Sequence, residues 1–223
     1  GNMKKLNLLF LILISATVLL AQESIAISLK VNGDVNLTRA EKISSLQTGY
    51  ELFSKDLLES NEDSFAALKF IDGSTIVKLF PRSILEIFAV AEKGKLNKRS
   101  KLDLGELWSR VDPGSGDFEI ETPTTVVSVK GTQFLLEVDK DGATTLYTVT
   151  GKVEMKNKTD EQVVLVNEGE KAYSTGTGLI EVSPYELEEI EENIEDIIEK
   201  TQTLEIKLEN AEGEEKTIFI ELE

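Results

Sequence analysis

Apolar and polar residues alternate with period two through most of the chain, from about Ile25 to Val182, in runs broken by Gly, Asp, Asn and Pro. That period puts every second side chain on one face of a pleated strand, so it predicts many short, half-buried strands. Leu29-Lys30-Val31 and Val35-Asn36-Leu37 flank Asn32-Gly33-Asp34 and read as a hairpin. Ser64 to Ile71 reads as a strand, turned at Asp72-Gly73-Ser74 into a second strand through Leu79, where Pro81 stops it. Ile84 to Val90 and Leu102 to Val111 are further strands, and the stretch between them, with Lys93, Lys95, Lys98, Arg99 and Lys101, reads as a solvated basic loop. Asp112-Pro113-Gly114-Ser115-Gly116-Asp117 is a dense turn signal. Beyond it, Phe118 and Ile120, then Val127 and Val129, then Phe134, Leu136 and Val138 each fall on one strand face. Asp139 to Gly142 turns the chain into Ala143 to Val149, and Val153 to Lys156, Val163 to Val166 and Ala172 to Ser174 complete the series. Strands so many and so close predict a mainly β fold, an antiparallel sandwich or roll, rather than a parallel α/β sheet.

The period changes at Ser183. Ser183 can cap a helix with Pro184 at its first position, and Glu186 completes the spacing of a capping box. Leu187, Ile190, Ile194, Ile197 and Ile198 then make one apolar stripe, with glutamates on the other face. Leu204-Ile206-Leu208 and Ile218-Ile220-Leu222 alternate around Asn210 to Lys216, a second predicted hairpin. The expected organisation is therefore a leader over 1–26, a β domain over 27–182, and an acidic helix plus hairpin over 183–223.

The leader reading comes from composition. Gly1 and Asn2 precede Met3 and look like a cloning remnant; Lys4 and Lys5 then stand before an almost unbroken apolar run from Leu6 to Ala21. A positive start, an apolar run and small residues at the cut are the parts of a signal peptide, and Ala21 and Ala26 both fit as the last residue removed. As a helix the run reaches about 24 Å, short of the roughly 30 Å hydrocarbon core, so an uncleaved anchor is the lesser alternative. Gln22 stands where a lipid-bearing cysteine would have to be, so lipidation at this point is excluded. The mature chain is expected to have no membrane span and to work outside the cytoplasm, in the periplasm or secreted.

Charge and missing residue types then narrow the chemistry. The formal charge is −17, and a phosphate backbone needs clustered cations, so nucleic acid is not an expected partner. Cysteine and histidine are absent, which removes disulfides, thiolate sites and the Ser–His and Cys–His nucleophile arrangements. Among the 41 acids no pair stands out by spacing as a hydrolase site. Asp139-Lys140-Asp141-Gly142 starts like a calcium loop, but Thr150 stands where the closing glutamate belongs. The expectation is a non-enzymatic protein without cofactor or metal.

Several segments together resemble the FecR domain family. Phe118-Glu119-Ile120-Glu121-Thr122-Pro123 followed by Val129-Lys130-Gly131-Thr132-Gln133-Phe134 is similar to that family's strand–Thr-Pro–strand–Arg-Gly-Thr-x-Phe pattern. Phe70-Ile71-Asp72-Gly73-Ser74 resembles its Phe-x-Asp-Gly-Ser hairpin, and the likeness extends over about residues 30 to 175. Lys130 departs from the usual arginine, which withdraws bidentate pairing at that position. Sigma-regulating relatives carry a cytoplasmic segment before a membrane helix, and an apolar run beginning at Leu6 leaves no room for one, so a stand-alone form is expected. The resemblance implies envelope signalling or surface assembly, with another envelope protein as partner. Asp72, Gly73, Ser74, Thr122, Pro123, Lys130, Gly131, Thr132 and Phe134 are expected to shape the backbone and core. Trp108 is expected in the core, with stacking on carbohydrate, as in a cell-wall-binding module, the alternative function.

Overall fold

The computed structural model describes residues 23–92, 94–190, 203–209 and 215–221. Alternation becomes strands almost throughout. In chain order they are β1 (Ser24–Asn32), β2 (Val35–Arg39), β3 (Lys42–Ser45), β4 (Glu51–Phe53), β5 (Asp56–Ser60), β6 (Phe65–Phe70), β7 (Thr75–Leu79) and β8 (Ile84–Glu92). There follow β9 (Lys95–Val111), β10 (Phe118–Glu121), β11 (Thr125–Val129), β12 (Gln133–Val138), β13 (Thr144–Thr150), β14 (Lys152–Asn157), β15 (Val163–Asn167), β16 (Glu170–Ser174) and β17 (Glu181–Pro184). The predicted terminal hairpin forms as β18 (Thr203–Glu209) and β19 (Glu215–Glu221), paired from Thr203↔Glu221 to Glu209↔Glu215.

The strand pairings define two open layers. The first runs β4-β1-β6-β7-β9-β12-β13-β16-β17. The second runs β3-β2-β5-β8-β9-β10-β11-β14-β15. Strand β9 belongs to both: Lys95 to Leu104 pairs with β8 in the second layer, while Gly105 to Arg110 pairs with β12 and Leu107 to Val111 with β7 in the first. The transfer has two local causes. The register slips between Ile84 and Leu85, a bulge, and Gly105 follows at φ +91°. A β-carbon at Gly105 would lie 2.5 Å from the Ser83 Cα, so only glycine lets the strand turn this corner.

The corner also explains a departure from the expected antiparallel order. Beyond Val111 the turn at Asp112–Asp117 brings the chain back to the second layer, where β10 lies parallel to the first half of β9, Phe118 opposite Lys98. In a flat sheet a parallel neighbour needs a long crossover; here the doubled-over second half of β9 supplies it.

Inward-facing positions of both layers meet in one core. Leu52, Leu68, Phe70 and Phe134 of the first layer join Leu58, Leu85, Ile87 and Phe118 of the second, all essentially inaccessible. Phe70 and Phe118 meet edge to face at 6.0 Å. Ile25 and Ala26 belong to this core, so the sandwich begins at Ser24, inside the stretch assigned to the leader. Cleavage after Ala26 would remove two core residues; cleavage after Ala21 spares them.

Two expectations are corrected. The basic stretch is not a loop: from Lys95 it is the opening of β9, with Leu96, Lys98, Ser100 and Leu102 inward and Asn97, Arg99 and Lys101 outward. A lysine on the inward face disguises the alternation. Nor does a helix start at Ser183. Glu181–Pro184 pair with β16, so Ser183 and Pro184 are strand residues, and a single 3-10 turn, Leu187–Glu189, follows. The backbone amide of Glu186 donates to Glu189 Oε1 (3.1 Å), so a cap forms a turn later than the sequence places it. The remaining positions of the predicted helix, 191–202, lie outside the described residues, as does the apolar leader through Gln22.

Candidate functional site

The motif residues are best judged by what each touches. Asp72 opens the turn between β6 and β7, and its carboxylate receives the Lys98 ammonium at 2.6 Å. The Lys98 side chain is wholly buried, and its nitrogen also lies within hydrogen-bond distance of Ser74 Oγ (3.1 Å) and the carbonyls of Leu96 (3.0 Å) and Ser115 (3.3 Å), so its three hydrogens are shared among four acceptors. An inward ammonium is tolerated only with its donors satisfied and a carboxylate beside it. Burial alone would push the Asp72 carboxyl up; bonds from Lys98 and Ser74, with the Lys98 charge, together hold it below the usual carboxylate range. Gly73 completes this turn with its amide on the Phe70 carbonyl (2.9 Å).

The same end of the sandwich gathers the Lys130-Gly131-Thr132 step. Val111 donates to the Thr132 carbonyl (2.9 Å) and Asp112 to the Ser74 carbonyl (2.8 Å), so the Asp112–Asp117 turn is tied to both motif turns. Gly131 has φ +77°, and a β-carbon there would sit 2.8 Å from the Pro113 Cα. Thr132 is buried, its hydroxyl without a partner among the described residues, and Phe134 is fully enclosed in the core. Lys130 points to solvent, 81% exposed, with Asp117 a loose 3.7 Å away.

Thr122 and Pro123 lie at the far end of β10. The Thr122 hydroxyl accepts from the Thr125 amide (2.9 Å) and lies 2.9 Å from both the Thr125 and the Thr144 hydroxyls. Lys158 donates to the Thr122 carbonyl at 2.6 Å. These contacts fasten the turn between β10 and β11 to β13. The motif residues therefore form two structural knots at opposite ends of the sandwich, and no single pocket collects Thr122, Lys130 and Thr132.

Trp108 faces away from the main core, on the outer side of the first layer, yet is 5% exposed. It packs with Ile76, Phe80, Leu135, Tyr147 and Ile190 in a second apolar cluster. Tyr185 stacks edge-on against Tyr147 at 5.4 Å, and Lys171 pairs with Glu189, so residues 185–190 are held across this face. Burial, then the charges of Glu137, Glu189 and Glu106, push the Tyr147 phenol up to about 12. No indole face is presented to solvent here.

The outer side of the second layer is open and charged. Arg99 pairs with Glu121 (2.5 Å) and approaches Glu119 (3.8 Å), and Lys101 pairs with Asp103 (2.8 Å). Two shallow grooves cross it, one of 360 Å³ beside Phe88, Val90 and Arg99, the other of 330 Å³ beside Glu119, Lys130, Glu154 and Leu165. Sequence reasoning missed these surfaces because its basic loop hid the strand that carries Arg99 and Lys101. Cross-strand neighbours of opposite charge, such as Glu86, Lys101 and Glu121, give the face its character.

The motif residues thus lie in the turns and the core of a two-layer β body. Residues 56–154 match the model of the family described as FecR protein. Two crystal structures of a protein from Parabacteroides distasonis ATCC 8503, provisionally described as an anti-sigma factor, share the fold. One aligns at TM-score 0.51 with 19% identity, over 62% of this chain and 64% of that one. The other aligns at TM-score 0.51 with 20% identity, over 60% and 62%. The chain thus spans less than two thirds of these relatives, and the likeness is one of fold. No curated protein matches.

Proposed function

We propose that the chain is a non-enzymatic interaction module of the bacterial envelope, working outside the cytoplasm, in which the FecR-type sandwich holds another envelope protein during signalling or surface assembly. One observation carries the reading: apart from the solvent-facing Lys130, the family-motif side chains are occupied in holding turns and core, which leaves sheet edges and the open outer face as the surfaces available for recognition. The description of the two P. distasonis structures supports the signalling class, and the apolar leader supports export. Affinity capture from envelope extract with the chain beginning at Gln22 is expected to enrich one envelope protein. The pair should then re-form from purified components. Absence of any such partner, together with glycan binding lost in Trp108→Ala, would replace this reading with the wall-binding one.

A further inference from the structure

We infer that β15 is a docking edge that accepts an extended, alternately apolar strand with basic flanks from another protein; the inference rests on the interaction reading above and specifies where it happens. Among the described residues the open layers leave four edges, and three of them are guarded. Strand β3 has four residues and opens with a lysine. Strand β4 has three, its Glu51 carbonyl taken by Arg39 (2.9 Å) and its Phe53 amide by Asp56 (2.8 Å). Strand β17 ends in Pro184, which has no amide hydrogen to offer. Short length, charge and proline are the ordinary means of blunting an edge.

Strand β15 has none of them. Its residues Val163, Val164, Leu165, Val166 and Asn167 include no charge, proline or glycine, and its register against β14 runs without a slip. The bonds closing that ladder, Asn157 to the Gln162 carbonyl (2.9 Å) and Glu168 to the Gly151 carbonyl (3.0 Å), set the alternation. By it, Val164 and Val166 bond inward to β14, while the amides and carbonyls of Val163 and Leu165 point off the edge. Val163 and Leu165 are also 50% and 54% exposed. Leu179, 82% exposed, sits in a loop tied to the same hairpin tip by Ile180 to Gln162 Oε1 (3.0 Å). Open backbone groups in register with exposed aliphatic side chains are what an added strand recognises.

Charge selects the occupant. Asp160 and Glu161 precede the strand, and Glu168 and Glu170 follow it. Glu161 already pairs with Lys156 (3.0 Å). Asp160, Glu168 and Glu170 receive only neutral donors among the described residues, so their charge stands uncompensated at both ends. A strand flanked by lysine or arginine complements this edge. A second copy of the chain sets acid against acid in either direction of pairing.

The test uses two ten-residue peptides with the same alternating Val-Thr core, one flanked by arginines and one by glutamates, titrated into the chain beginning at Gln22. The arginine peptide should bind more tightly, weaken with added salt, and slow amide hydrogen exchange at Val163 and Leu165. Leu165→Lys, opposite Glu154 on β14, should weaken that binding by about tenfold or more with no change in the melting midpoint. The inference is overturned by no binding at millimolar peptide, by unchanged exchange at Val163 and Leu165, or by equal affinity of the variant. Self-association abolished by Leu165→Lys would assign the edge to a second copy instead. An envelope partner that holds the variant as firmly as the parent would remove this edge while leaving the interaction reading intact; no partner for either would remove that reading.

Discussion

Lys98 and Asp72 stand 26 positions apart and belong to different strands, yet the ammonium of one is enclosed only because the carboxylate of the other reaches it. Breaking such a pair from one side strands a buried charge, which costs more than the pair itself contributes. Asp72→Asn is therefore expected to lower folding stability by about 3 kcal/mol, and adding Lys98→Met to recover part of the loss. Urea unfolding of the single and double variants measures both. The family resemblance already singled out Asp72 as structural, whereas its partner was assigned to a solvated loop. What hid the partner is physical: a lysine inside looks like a lysine outside until the strand that carries it is placed.

At the level of elements, alternation marked most strands and the turns between them, because one face of each had to be apolar. It could not mark β9 as one continuous strand, since the inward Lys98 disguises the alternation from Lys95 to Lys101, and the change of layer at Gly105 lies hidden inside the stretch it did mark, Leu102 to Val111. It also misassigned Ser183 and Pro184. A serine before a proline reads as a helix start when hydrogen-bond partners are unknown, and β16 provides those partners to a strand instead. The corner is the testable element. Gly105→Ala combines a left-handed backbone with a clash against Ser83, whose hydroxyl accepts from the Glu106 amide (2.8 Å). The expected loss is about 3 kcal/mol, read as a lower thermal midpoint, with both layers melting together.

For the molecule as a whole, the pH range of stability follows from groups whose titration differs between the folded and unfolded states. The Asp72 carboxyl is held below its unfolded value, so its contribution is present above that value and lost as pH falls through the folded one. The Tyr147 phenol is raised to about 12, so its contribution is present below the ordinary tyrosine value and lost as pH rises through the folded one. Stability should hold through neutrality, decline below about pH 4, and decline again above about pH 10. Asp72→Asn should flatten the acid limb and Tyr147→Phe the alkaline one, both measurable by urea titration across pH. A strand stitched into two layers also governs how the body yields to a pull. Traction on β15 passes through β14, β11 and β10 to β9, and around the bend at Gly105 it enters the opposite layer. A tug at one rim is thus shared by both sides, and the sandwich peels as a unit instead of shedding a leaf.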